Sequence, residues 1–65
     1  AAIGDAKTSP FIPYDAQAQG FLKAAQTTTS KTLIYFTPTG NSMIAPELLK
    51  QAQIEGIKII QIGVQ

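Results

Sequence analysis

The polar side chains best placed to do chemistry lie in one short loop that follows an apolar strand. Thr37, Thr39, Asn41 and Ser42 surround Gly40 in this loop. Side-chain donors of this kind, together with the backbone N–H groups of a glycine-containing turn, can surround an anion such as phosphate. The chemistry that this spacing suggests is therefore anion binding.

The other ionisable side chains do not form a catalytic set. Asp15 and Glu47 are candidate paired carboxylates, but each stands where it stabilises the start of a helix, which is how we interpret them. The chain contains no His and no Cys, so its Ser and Thr hydroxyls lack the ordinary partners that activate a nucleophile. We therefore expect no catalytic residue, no metal site and no enzyme activity.

Composition indicates a chain that makes contacts with other proteins. It is 45% hydrophobic and only 14% charged, which is a sparse charged surface for a globular domain. The net charge is +1, and the lysines are scattered along the chain without any Arg, whereas nucleic-acid binders cluster both residue types on one face. Nucleic acid is therefore not an expected partner.

Length limits the chain to one domain whose stability needs support. A domain of 65 residues buries only about 60% of the surface that its unfolded chain exposes. Disulfides and bound metals often support domains of this size, and neither is expected here, so we predict oligomerisation or docking instead. No apolar run reaches the roughly 18 residues of a membrane span, so we expect no membrane insertion. Ala1 and Ala2 suggest a processed N-terminus, organellar or exported.

Local signals predict an α/β fold, in which a helix is followed by a strand-helix-strand unit. Residues 1–14 carry Gly and Pro without regular periodicity and are predicted to form an extended arm, leaving 15–65 as the small α/β domain. Asp15 caps the first helix, whose apolar stripe recurs at helical spacing and consists of Ala18, Phe21, Leu22 and Ala25.

The strand-helix-strand unit comprises Thr32 to Thr37, Pro46 to Glu55 and Ile57 to Val64. The first strand is apolar on both alternate sets, so both of its faces are expected to be covered. Pro46 fits the first turn of the helix and Gly56 fits a left-handed stop. Leu48, Leu49 and Ala52 form the predicted apolar face of that helix. The helical connection implies that the two strands run parallel.

Bulky apolar residues outside the predicted core are candidate partner contacts. Phe11, Ile12 and Tyr14 lie together in the arm, where an unpacked tail would gain nothing by exposing them, so the arm is expected to dock on its own domain or on a partner. For Tyr14, packing within the chain and contact with a partner are both open. Ile54 points away from the apolar face of the second helix. Tyr35 is an amphipathic aromatic of the kind enriched at interfaces, but within its strand core packing is the favoured interpretation.

The segment from Ile34 to Ser42 resembles the phosphate loop of flavodoxin-like proteins, in which a strand precedes a Thr-x-Thr-Gly-Asn-Ser/Thr turn. The resemblance implies an FMN phosphate held by Thr37, Thr39, Gly40, Asn41 and Ser42. In that family the helix starts directly at the loop. Here a helix starting there would bring the ring of Pro46 against the Ser42 carbonyl, so FMN binding is the alternative interpretation.

The C-terminal half resembles the small linker domains of phycobilisomes, which also end in a strand, a helix, a Gly and a strand. The matching residues are Tyr35-Phe36-Thr37, Gly56, Lys58 and Ile59. The same stretch is similar to the late half of a von Willebrand A domain, with Pro38-Thr39 in place of its Asp-Gly. The linker resemblance implies a protein of a light-harvesting assembly, with other protein subunits as partners.

Together these observations predict a non-catalytic structural or linker protein that docks within a larger complex as a hetero-assembly or homo-oligomer. No cofactor is expected under this interpretation. The alternative is an FMN- or phosphate-binding flavodoxin-like protein, or a fragment of one, that uses the Thr37–Ser42 loop.

Overall fold

A computed structural model describes residues 1–64 of the chain. It contains two helices and five strands in the order β1 (Ile3–Ala6), β2 (Phe11–Ile12), α1 (Ala16–Gln26), β3 (Thr32–Thr37), β4 (Met43–Ile44), α2 (Pro46–Glu55) and β5 (Lys58–Gly63). The predicted α/β class is confirmed.

The main sheet has three parallel strands in the order β1-β3-β5. Leu33 of β3 lies opposite Ile3 of β1 on one side and Ile59 of β5 on the other. Strand β3 is therefore central, and its partner β5 runs parallel to it as expected. β1 and β5 are the two edges of this sheet.

Helix α1 begins where the sequence predicts. Asp15 is its N-cap, and the side-chain Oδ1 accepts a hydrogen bond from the N–H of Ala18 at 2.9 Å. Ala18, Leu22 and Ala25 are buried, so the predicted apolar stripe is the packed face. Gly20 lies in the middle of this helix and faces open space.

Helix α2 has the predicted bounds but a narrower buried face than expected. Pro46 occupies the first turn, and Gly56 ends the helix in the left-handed region with φ 72°. Leu48 and Ala52 are buried, whereas Leu49 is 46% exposed. The assignment of Leu49 to the buried face was wrong, because this short helix contacts the rest of the domain along one line.

Both helices pack on the same face of the sheet. One apolar core joins Leu22 of α1 and Leu48 of α2 to Leu33 and Tyr35 of β3. Successive side chains of a strand point to opposite faces. The odd-numbered residues of β3 therefore face the helices, and the even-numbered residues face away from them. The domain has two layers, and its smallest dimension is 16 Å between Cα atoms.

Residues 1–14 are extended as predicted, but they do not form an arm outside the domain. Ile3–Ala6 pairs with β3, and the N–H of Lys7 extends the ladder by donating to the Phe36 carbonyl at 2.9 Å. Phe11–Ile12 pairs in parallel with Met43–Ile44 as a second, two-stranded sheet. The two predicted strands pair in parallel as expected, and β1, which local signals assigned to the arm, adds a third strand to their sheet.

Candidate functional site

One face of the main sheet is apolar and is left uncovered by the described chain. Alternation places the even-numbered residues of each strand on this side. Ile34, Phe36 and Ile60 are partly exposed, Ile62 is 41% exposed, and Val64 just beyond β5 is 46% exposed. We call the surface formed by these five residues the open face.

Strand β1 borders the open face with two small residues, Gly4 and Ala6, which lie on the same side of the sheet. An ideal Cβ on Gly4 would lie 3.2 Å from Cε2 of Phe36, so the aromatic ring lies close to the Gly4 backbone. The larger side chains of the open face, on β3 and β5, extend further from the sheet than these two small residues. The open face is thus a continuous apolar surface bordered by a small-residue edge.

Charge is almost absent from this surface. Lys58 is the one charged residue that β1, β3 and β5 place on the open-face side, at the end where the strands begin. It is exposed and lies opposite Thr32 in the strand pairing. The surface therefore offers apolar contact over its length and one cation at its border.

The predicted partner-contact residues divide into exposed and buried groups. Ile54 is 68% exposed and Phe11 is 43% exposed beside Met43, its partner in the β2–β4 pairing. Ile12 is fully buried, so its assignment as a partner contact was wrong; strand alternation turns it inward while Phe11 faces out. Tyr14 is partly buried and packs against the core, which agrees with packing within the chain, one of its two open alternatives.

The Thr37–Ser42 loop uses its polar groups within the protein. Thr37 is fully buried, donates its hydroxyl hydrogen to Gln61 Oε1 at 2.8 Å, and accepts from the N–H of Gly40 at 2.9 Å. Gln61 also accepts from the N–H of Ser42 and donates to the Ser42 carbonyl. Gln61 thus links the end of β3 to the start of β4.

Two further loop donors are also paired, one from Asn41 and one from Ser42. The N–H of Asn41 donates to Thr39 Oγ1, and the Ser42 hydroxyl donates to the Ser9 carbonyl at 3.1 Å. Strand β4 separates the loop from α2, so the helix starts at Pro46 and not at the loop. The five residues proposed for FMN do come together, but an anion would have to displace bonds that they already make.

Close backbone contact fixes the position of this loop. Gly40 adopts φ 75°, and an ideal Cβ on it would lie 2.9 Å from the backbone nitrogen of Gly63. Such a distance is too short for any real side-chain carbon. Two glycines, Gly40 and Gly63, are therefore required where the loop crosses the end of β5.

A buried phenol and a carboxylate lie on the helix side at the end of β1. Asp5 and Tyr35 are opposite each other in the strand pairing, and neither Asp5 Oδ2 nor the Tyr35 hydroxyl has a hydrogen-bond partner among the described residues. Burial, followed by the negative charges of Asp5 and Asp15, raises the pKa of Tyr35 to about 12. Lys7 Nζ lies 3.7 Å from Asp5 Oδ2. Tyr35 is therefore a neutral core residue, as its strand position predicts.

Other kinds of site are not found in the described part of the chain. Residues 1–64 contain no group of three potential metal ligands and no pocket. Neither of the two helices described has the length and apolar content needed to cross a membrane. The open face is thus the feature of the described chain most suited to binding.

No family model, curated protein or solved structure matches this chain.

The open face was only partly visible in the sequence. The alternation of β3 indicated two apolar faces, but nothing local could indicate that one of them lacks cover. Ile60 and Ile62 of β5 were not identified as contact residues. Their even spacing with Val64 is a signal that could have found them once β5 was placed at the sheet edge.

Proposed function

We propose that this protein is a non-catalytic structural or linker protein that docks to another protein through its open face. The observation that carries this proposal is the uncovered apolar side of a parallel sheet, where Ile62 is 41% exposed. Parallel sheets are normally covered on both faces, because their strands are apolar on both sides. A partner that covers the second face would complete the usual three-layer arrangement.

Energetics support the same conclusion. Burying apolar surface away from water is favourable by about 25 cal/mol per Å². The open face does not contribute this free energy while it is exposed to solvent. The small core, with no cysteine to form a disulfide, leaves little stability in reserve. Docking supplies both the missing apolar burial and an added contribution to stability, since a ligand that binds only the folded form stabilises it.

A matched pair of surface variants tests the proposal. Ile62→Lys places a charge on the open face, and Leu49→Lys places the same charge on α2, which packs on the opposite face of the sheet. The two positions are 41% and 46% exposed. Proteins that co-purify from cells of the source organism are quantified by mass spectrometry for both variants, after circular dichroism confirms that each is folded.

We expect Ile62→Lys to reduce the recovery of at least one partner about tenfold, because a lysine charge in an apolar contact costs well over 1.4 kcal/mol. Leu49→Lys is expected to retain that partner. Equal recovery with both variants and the unaltered chain would overturn docking through the open face.

The resemblance to phycobilisome linkers suggests light-harvesting subunits as one setting for this docking. A pigment-bearing protein among the partners lost with Ile62→Lys would support that setting. FMN binding in the Thr37–Ser42 loop is the other candidate from the sequence. The donors of Thr37, Gly40 and Ser42 are engaged within the protein, so docking is the better-supported function.

A further inference from the structure

The dimensions of the open face indicate what kind of partner element it accepts. With strands about 4.8 Å apart and a rise of about 3.3 Å per residue, three strands of up to six residues give a footprint of about 14 Å by 20 Å, roughly 300 Å². A standard-size interface buries about 800 Å² on each partner. A second copy stacked only through this face would therefore fall well short of a stable dimer, whereas a helix of a larger partner can be supplemented by contacts outside the face.

A single helix matches the same footprint. An α-helix with its side chains is about 10–12 Å wide, and about 13 residues span 20 Å. We infer that the open face binds one amphipathic helix of a partner protein, whose apolar stripe lies along Ile34, Phe36, Ile60 and Ile62. This inference rests on the proposed docking function and names the element that would dock.

The border charge suggests the direction of that helix. Lys58 lies at the end of the sheet where the strands begin, and the last turn of a helix carries partial negative charge. A partner helix antiparallel to the strands would bring its C-terminal end to Lys58. Helices α1 and α2 run in the same sense, since each connects the end of one parallel strand to the start of the next.

The small residues of β1 give the helix room to approach. Gly4 and Ala6 are small residues that extend little from the sheet, and the Phe36 ring lies beside Gly4. A large side chain of the incoming helix can therefore pack over β1 against that ring.

The test uses the whole chain and a defined probe. The probe is a 16-residue synthetic peptide with Leu at helical spacing on one face, Lys and Gln on the other, and Glu in its last turn. A matched peptide has the same composition with the leucines distributed around the helix. Binding is followed by methyl NMR shifts of the labelled chain, with Leu49→Lys and Ile62→Lys as variants.

We expect the amphipathic peptide to shift the methyl signals of Ile34, Ile60 and Ile62. It should bind at least tenfold more tightly than the rearranged peptide, and Ile62→Lys should weaken it at least tenfold while Leu49→Lys does not. Lys58→Glu should weaken it about two- to fivefold, the range expected for a charge at a helix end.

Equal binding of the two peptides, or shifts confined to the helix side, would overturn the helix assignment. A concentration-dependent dimer in sedimentation that Ile62→Lys dissociates would also overturn it, because the occupant would then be a second copy. If Ile62→Lys still reduces the recovery of a partner in the co-purification experiment, the docking function holds even when the helix assignment fails. If that experiment loses none, docking itself fails.

Discussion

Thr37 donates a hydrogen bond to the side-chain carbonyl oxygen of Gln61 at 2.8 Å, across the β3–β5 pairing. The same glutamine bonds the N–H and the carbonyl of Ser42. One side chain thus satisfies the buried hydroxyl at the end of β3 and the backbone at the start of β4. These hydrogen bonds hold together the two ends of the loop in which an anion site was predicted, and they occupy donors that an anion would need.

Replacing Gln61 by Ala should destabilise the domain by about 1–3 kcal/mol, because partly buried donors and acceptors lose their partner. Urea denaturation monitored by circular dichroism measures the change. Gln53→Ala is the control, since Gln53 is exposed on α2 and its side chain makes no hydrogen bond among residues 1–64. Equal stabilities of the two variants would contradict the bridging role.

Two glycines that face open space should respond to alanine in opposite ways. Gly20 is in the interior of α1, where Gly→Ala is worth about 1 kcal/mol in helix propensity, so Gly20→Ala should raise the unfolding free energy. Gly56 has φ 72°, where an L-residue is strained by about 1–2 kcal/mol, so Gly56→Ala should lower it. The thermal unfolding midpoints of the two variants should differ by several degrees. If both midpoints shift in the same direction from that of the unaltered chain, the backbone conformations assigned to Gly20 and Gly56 are contradicted.

Tyr35 should make the domain sensitive to alkaline pH. Its pKa rises from 10.0 to about 12 on folding, so between these values the unfolded chain loses a proton that the folded chain retains. The stability due to Tyr35 is full below pH 10 and falls as the pH rises toward 12, by up to about 1.4 kcal/mol per pH unit.

The Tyr35→Phe variant isolates this effect. Near neutral pH its stability should stay within about 1 kcal/mol of the unaltered chain, because the removed hydroxyl makes no hydrogen bond among the described residues. In urea denaturation at pH 9 and pH 11, the unaltered chain should lose more stability than the variant. An identical loss in both would show that Tyr35 does not titrate as described.

Added FMN should not bind in the Thr37–Ser42 loop. The Thr37 hydroxyl and the Gly40 and Ser42 N–H groups already have protein partners, so a phosphate would gain no free donor from them. We expect no quenching of flavin fluorescence at high micromolar protein. Saturable quenching that is lost on replacing Asn41 by Ala would instead establish the flavin interpretation.

Much of the fold could be predicted because single residues mark its element ends. Pro46 and Gly56 bound α2, and Asp15 caps α1, as local sequence rules predict. Strand β1 was missed because Ile3–Ala6 contains Gly and Asp, which are poor strand formers. It is a strand because β3 offers it an edge, and a tertiary pairing of this kind leaves no local signal.

The candidate site was less predictable for a related reason. The loop around Gly40 has the residues of an anion site, but the partner that occupies its donors, Gln61, lies in another strand. The open face could be anticipated only as a second apolar set in β3. Whether such a set is covered depends on where every other element packs, which local patterns do not contain.

The most direct test of docking is site-specific photo-cross-linking from position 62. A photoreactive phenylalanine analogue is placed at residue 62 in one variant and at residue 49 in another, and both are irradiated in cells of the source organism. We expect a cross-linked partner protein from position 62, through peptides of an amphipathic helix, and none of that partner from position 49. The same partner at equal yield from both positions, or no cross-link from position 62 in a folded variant, would contradict it.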